Sequence, residues 1–381
     1  MMRKVQPVTC PFCSLLCNDL RLIFDEGSLA AFSPACSLGE AGFRLAVAGS
    51  TYEEPTQVVQ ETSLRTARTW LREARQPLVL LSGIVDGKAI SAAVRLAKRF
   101  SAILVCDEDW SGSLLGLSAQ KAGLLTDTLR DLRSQALVVL CGVDPARTHP
   151  RLGEVLERDL LTDSLRLDPP DPMEAVRWLR VANSGTVECL PAWCAAANAR
   201  IEAASSGLVV FGLDWLKAGS PFTTELLLWL NDLNREKHWY ALYLAPAPNS
   251  AGVVETLLSE TGFPGNLRFG LGETDFSPRT LRAENVIQQG GADLYILAGQ
   301  PGTISKKTLS LLSQSRTILF DAERPAWNPP IWLPSSRAGV GGSGRFQRLD
   351  GVPIELQPVL PSRRRSMKDL LLELADDGQT L

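Results

Sequence analysis

Cys10-Pro11-Phe12-Cys13-Ser14-Leu15-Leu16-Cys17, answered by Cys36 within Pro34-Ala35-Cys36-Ser37-Leu38-Gly39, is the stretch on which the reading of this chain turns. The spacing is C-x2-C-x3-C-x18-C, and it holds four of the eight cysteines. Leu20 to Phe24 and Leu29 to Phe32 flank Gly27-Ser28, so a short hairpin is expected to carry Cys36 back toward the first three. Thiolates are soft ligands, which points to an iron–sulfur cluster or zinc. Four unrelated small buried residues are the plainer alternative, and the clustered spacing argues against it.

Working outward, 381 residues exceed one ordinary core and predict two or three domains. The apolar fraction of 45% is enough to build them. With 39 basic against 42 acidic residues the net charge is −3, which predicts neither nucleic-acid binding nor attraction to a membrane surface. Met1-Met2-Arg3-Lys4 leads straight into the cysteine loop without a signal-like run, and no stretch of ~20 apolar residues is present. A cytoplasmic protein is expected, with cysteines used for metal rather than disulfides. Only His149 and His238 are histidines, so a multi-histidine catalytic metal centre is excluded within this chain.

The remaining chain alternates helical and strand patterns. Helices are predicted over 61–75, 88–100, 118–132, 173–182, 189–204, 223–234, 306–314 and 367–375. Apolar runs at 77–83, 102–107, 136–142, 208–212, 239–244, 294–299 and 316–321, with the short 164–167, read as buried parallel strands. Strand–helix alternation predicts βαβ units and parallel sheets covered by helices. Residues 332–359 are glycine-rich with short extended pieces and read as hairpins.

Ligands of open parallel sheets bind beyond the carboxyl ends of the strands. Three loops fall there: Gly142-Val143-Asp144-Pro145 through His149-Pro150-Arg151, Gly299-Gln300-Pro301-Gly302-Thr303, and Asp107-Glu108-Asp109-Trp110-Ser111-Gly112-Ser113. None is a Walker loop or a G-x-G-x-x-G turn. Asp144-Pro145 suits a helix cap, and His149 suits either a structural or a functional part. Asp107, Glu108 and Asp109 read as a solvated acidic turn rather than a cation site. Cys106, Cys141, Cys189 and Cys194 share no spacing and are assigned to packing. Arg363-Arg364-Arg365 reads as a solvated linker able to steer an anion, and Gly341-Gly342-Ser343-Gly344 as a hairpin turn. No nucleophile with an adjacent base is evident.

Taken in order, Cys10 to Asp19, Gly142 to Arg151, Asn249-Ser250-Ala251-Gly252, Thr261-Gly262-Phe263-Pro264, Gly299-Gln300-Pro301-Gly302 and Arg348-Leu349-Asp350-Gly351-Val352-Pro353-Ile354 resemble the B subunit of formylmethanofuran dehydrogenase, of the molybdopterin oxidoreductase family. The resemblance implies a 4Fe–4S cluster on Cys10, Cys13, Cys17 and Cys36, and α/β domains that hold a bis-pterin tungsten or molybdenum cofactor. The family's metal-binding cysteine or selenocysteine is expected near Asp109 to Gly112, where this chain has neither cysteine nor histidine. Cys106 is displaced by about three residues, and Pro246-Ala247-Pro248 stands where the family has Gly-His. With those departures the chain resembles the B subunit of the bacterial formyltransferase/hydrolase complex.

The expected fold is α/β: a cysteine-bound metal cap over 1–60, a discontinuous α/β domain over 61–133 plus 286–381, and an inserted α/β domain over 134–285. The expected function is that of a non-catalytic, redox-inactive B subunit of a formyltransferase/hydrolase complex. Such a complex releases formate from a formyl-methanofuran-type carrier in tetrahydromethanopterin-linked one-carbon metabolism. A working tungsten or molybdenum dehydrogenase subunit using Cys106 is the alternative. No catalytic residue is assigned. Asp144, Pro145 and His149 are candidate cofactor-binding residues, functional or vestigial; the four cap cysteines are the metal ligands. The cofactor is a 4Fe–4S cluster, with zinc or none as alternatives, and the pterin metal is expected to be absent. The partners are the other subunits of the complex and a methanofuran-type carrier.

Overall fold

The computed structural model describes residues 2–49, 57–107, 126–185, 189–216, 220–270 and 272–376. The chain forms two compact units: Met1–Trp110 with Ala247–Gln347 and Pro353–Leu381, and Ser111–Pro246 with Arg348–Val352.

The first unit begins with an antiparallel sheet of β1 (Arg3–Val8), β2 (Leu20–Asp25) and β3 (Ser28–Ser33), followed by helix Ser37–Gly49. Alternation along β2 turns Leu20, Leu22 and Phe24 inward. They pack with Val8, Leu29 and Phe43 into a small core that closes on Val359. After helix Gln57–Glu73 come β4 (Pro77–Leu81), helix Gly87–Arg99 and β5 (Ile103–Cys106). β4 and β5 are buried throughout, because helices cover both faces. Asp86 caps the helix between them, accepting from the backbone of Lys88 at 3.0 Å and of Ala89 at 3.4 Å.

The second unit holds a parallel sheet ordered β7-β6-β8-β9, from β6 (Leu137–Cys141), β7 (Ser164–Leu167), β8 (Ser206–Gly212) and β9 (His238–Leu244). Helices Pro172–Ser184, Ala192–Ala203 and Ser220–Leu233 pack on it, with Trp229, Trp239, Phe211 and Phe222 filling the core.

The chain then returns to the first unit through helix Ser250–Thr261, β10 (Leu267–Phe269), β11 (Thr274–Phe276), β12 (Leu294–Ala298), β13 (Thr317–Asp321), β14 (Ile331–Pro334), β15 (Gly344–Gln347) and β16 (Pro353–Leu356). The main sheet runs β11-β10-β5-β4-β12-β13-β14. β5, β4, β12, β13 and β14 are parallel, while β10 and β11 extend the edge antiparallel. One face packs on helices Gln57–Glu73, Gly87–Arg99 and Met367–Ala375 through Leu71, Ile90, Val94 and Leu371. The other packs on helices Ala283–Gln288 and Lys306–Gln314 through Val286, Ile287 and Leu312.

The α/β class with parallel sheets matches the sequence expectation, and four details differ, the first being that residues 126–133, expected in the discontinuous domain, lie in the second unit. Residues 247–285 lie in the first unit rather than in the inserted domain, because β10 pairs with β5 and Asn249 bonds to Gly83. β14 is a parallel strand of the main sheet and not part of a hairpin, so only β15 and β16 form the expected hairpin. Of the helix expected over 118–132, residues 118–125 lie outside the described residues, and the rest contributes only the 3₁₀ turn Asp131–Ser134.

Candidate functional site

The cysteine corner is built by backbone bonds first. Cys10 N–H donates to the Cys17 carbonyl at 2.8 Å, and Leu16 N–H to the Cys13 carbonyl at 3.2 Å. Leu16 takes a left-handed φ of 44° to make this turn, and burial among Ala338, Phe346 and Leu356 holds it there. Cys36 stands just before helix Ser37–Gly49, and its carbonyl accepts from Glu40 N–H at 2.9 Å. Gly39 leaves room in that helix: a Cβ there would sit 2.8 Å from the Phe32 ring and 3.2 Å from Cys10 Sγ.

Cys10 and Cys13 are buried, Cys17 and Cys36 half-buried, and none of the four is in a disulfide. Burial pushes the Cys10 thiol far up, with Cys13, Cys17 and Cys36 adding to the effect. Burial also pushes Cys13 up to about 12, again with Cys17 and Cys36 contributing. Among the described residues no group of three or more His, Cys, Asp or Glu is placed to hold a metal ion. The four thiols supply soft donors of the kind that an iron–sulfur cluster or zinc takes.

At the carboxyl end of the main sheet two buried carboxylates clasp the loop after β12. Asp107 accepts from Gly302 N–H, from Thr303 N–H at 3.3 Å and from the Thr303 hydroxyl at 2.9 Å. Asp321 accepts from Gln300 N–H at 2.7 Å. Burial raises the pKa of both, and these hydrogen bonds oppose it. Asp107 is thus not a solvated turn residue as the sequence suggested: its buried carboxylate is spent on this loop. Glu108 to Ser113 lie outside the described residues.

In the second unit, Asp144 caps the short helix Pro145–Thr148, accepting from Ala146 N–H at 3.2 Å, with Pro145 at its first position. Gly142 before it has φ +56°, and a Cβ would meet the Trp215 ring at 2.1 Å. His149 is only 2% exposed, and burial lowers its pKa to about 4, so it stays neutral at pH 7. Arg151 forms a two-pronged pair with Glu154 at 2.8 and 2.7 Å. Asp144, Pro145 and His149 share one loop, whose side chains are engaged in capping and packing.

Cys106, Cys141 and Cys194 are buried as expected, whereas Cys189 is exposed, since it precedes helix Ala192–Ala203 rather than lying on it. Cys106 Sγ lies 3.7 Å from the Pro264 carbonyl and against Gly265, in the core of the first unit. Sequence reasoning missed the part played by Asn249. Wholly buried, it donates to the Val85 carbonyl at 2.6 Å and accepts from Gln347 N–H at 2.7 Å. Gly252 makes space for it, because a Cβ there would stand 2.1 Å from Asn249 Oδ1. The Asn-x-x-Gly pattern was the available signal. The amides of Gly341 and Gly342 are taken by the Arg337 carbonyl, so they are not a phosphate nest.

No family model matches the chain. By fold it is similar to a chain of the formyltransferase/hydrolase complex of Methylorubrum extorquens, solved with methylofuran: TM-score 0.69 at 19% identity, covering 83% of this chain and 95% of that one. By sequence it is similar, nearly end to end, to the B subunit of tungsten-containing formylmethanofuran dehydrogenase 2. That subunit from Methanocaldococcus jannaschii is 24% identical over 411 aligned residues, 94% of each chain. Its counterpart from Methanococcus maripaludis is 23% identical, covering 97% of this chain and 96% of the relative.

Proposed function

We propose that this chain is the B subunit of a formyltransferase/hydrolase-type complex and carries no pterin-metal redox chemistry of its own. The observation that carries the reading is the combination of end-to-end similarity with the thiol content of the segment after β5. Between Asp107 and Leu115 the sequence has no cysteine and no histidine. Cys106, the one thiol nearby, is 5% exposed and packs toward Pro264 and Gly265. In this reading the other subunits release formate from a formyl-methanofuran-type carrier in tetrahydromethanopterin-linked metabolism, in the cytoplasm, and this chain supplies a scaffold. Among the described residues no helix is long and apolar enough to cross a membrane.

Cys10, Cys13, Cys17 and Cys36 hold the cap's metal in this proposal, as a 4Fe–4S cluster ahead of zinc. The bound group ties the cap down, since ligand binding energy becomes folding energy in a small element. The chain's own contribution is the buried, glycine-relieved corner around Cys10 that keeps water from the Cys10 and Cys13 sulfurs. Co-purification with partner subunits, followed by a formate-release assay, tests the proposal. A chain that purifies alone as a stable monomer and joins no complex overturns it. Stoichiometric tungsten or molybdenum with formate-dependent dye reduction would instead establish the dehydrogenase reading, which similarity to the tungsten-containing relatives favours.

A further inference from the structure

A cavity of about 250 Å³ opens within the first unit, beyond the carboxyl ends of β13 and β14. Arg337, Arg363 and Arg364 line it, and Glu323 is the one acidic residue among its described lining residues. The sequence suggested that Arg363 and Arg364 belong to a solvated linker. The fold instead brings them onto one wall with Arg337, which lies well before them in the chain. Arg364 is half-buried and anchored by its guanidinium on the Ala322 carbonyl. Arg337 is largely buried, with Nη1 3.8 Å from Glu323 and its guanidinium carbon 5.4 Å from the centre of the Phe12 ring. At that separation the carboxylate does not consume the guanidinium's donor fork. Ser335, on the same wall, has a buried hydroxyl without a hydrogen-bond partner among the described residues. The position suits a ligand, since parallel sheets bind theirs beyond the strands' carboxyl ends.

We propose that this cavity is an oxyanion site that takes the phosphoryl or carboxylate group of a small molecule. Arg337 and Arg364 grip the group from the wall, and Arg363 closes from the rim. Arg337 also acts on the buried Asp321 carboxyl, and three guanidiniums outnumber the two carboxylates around them, which argues against a cation. The volume admits a pyrophosphate or a short dicarboxylate and no macromolecule. The site goes beyond the scaffold role proposed above and stands without it.

The test is calorimetric titration of the full-length chain with inorganic pyrophosphate, inorganic phosphate and glutarate at low ionic strength. One saturable site is expected for at least one anion, and the tighter arm names the source as phosphoryl or carboxylate. Arg363→Glu is expected to weaken that binding about tenfold or more, with an unchanged melting curve because its side chain is exposed. Arg364→Lys keeps a charge near the Ala322 carbonyl but loses the planar fork, and a loss of several-fold is expected. Lys307→Glu makes the same charge change on an exposed position of another surface and is expected to leave the affinity within about twofold. Absence of saturable binding by all three anions, or an equal loss in Lys307→Glu and Arg363→Glu, overturns the proposal.

Discussion

Asp107 and Thr303, 196 positions apart, are joined by a carboxylate that accepts the threonine hydroxyl at 2.9 Å and its N–H at 3.3 Å. Thr303 also bonds the Asp107 carbonyl, so the end of β5 and the loop after β12 are fastened at several atoms. Asp107→Ala removes the carboxylate that accepts from Gly302 and Thr303, whose donors water can reach in its place, and is expected to cost about 1–2 kcal/mol. Thr303→Val keeps the shape and is expected to cost about 1 kcal/mol. Urea unfolding of the two variants checks the order; an Asp107→Ala protein as stable as wild type would refute the clasp.

Asn249 and Gly252 form a second, coupled pair. Asn249→Ala removes bonds to Val85 and Gln347 inside the core, with an expected loss of about 2–4 kcal/mol. Gly252→Ala drives a methyl group into the Asn249 amide and is expected to cost about 1–3 kcal/mol. In the double variant the obstruction is gone, so the two costs sum to more than the loss measured. Strict additivity in a double-mutant cycle would rule the coupling out.

His149 gives the fold an acid-sensitive element. Its pKa is about 4 in the folded chain, against an ordinary value of 6.5. Below about pH 6.5 the unfolded chain takes up a proton that the folded one refuses. Stability is therefore full above that value and declines as pH falls toward 4, by at most about 3 kcal/mol. His149→Leu is expected to flatten this part of the stability–pH curve. An unchanged slope between pH 7 and 4 would show that His149 is charged or exposed in solution.

The cap cysteines are expected to retain iron when the chain is produced with iron and sulfide available. A broad visible absorbance that bleaches with dithionite is the signature, and Cys10→Ser is expected to remove most of it. Chelation or oxidation of the group is expected to loosen the cap, seen as faster proteolysis within the first ~60 residues. One zinc per chain without that absorbance would change the metal and leave the ligand set standing. Tungsten and molybdenum are expected at background level by elemental analysis.

What could be read in advance follows physical range. The hairpin after the cysteine loop was legible because its strands and its turn are local in sequence. β4, β6, β12 and β13 were legible because burial on both faces writes an unbroken apolar run. β10 and β11 were not: each has three residues, with Arg268 and Asp275 turned away from the core. β14 was hidden among prolines and tryptophan, and its parallel pairing is set by β13 rather than by its own pattern. The arginine cavity was invisible for the same reason, since Arg337 and Arg364 meet only through the packing of β14 and the final segment.

Phe12 lies between two of the cap cysteines in sequence, edge-on to Phe43 at 4.9 Å and beneath the Arg337 guanidinium. Gly42 lets the helix approach so closely that a Cβ would stand 2.4 Å from the ring. Any shift of the cysteine loop therefore moves an aromatic ring current across a guanidinium that also faces the cavity. The Arg337 side-chain NMR resonances would then register cap loading and anion binding together, giving one probe that distinguishes a cap acting alone from a cap in communication with its neighbouring pocket.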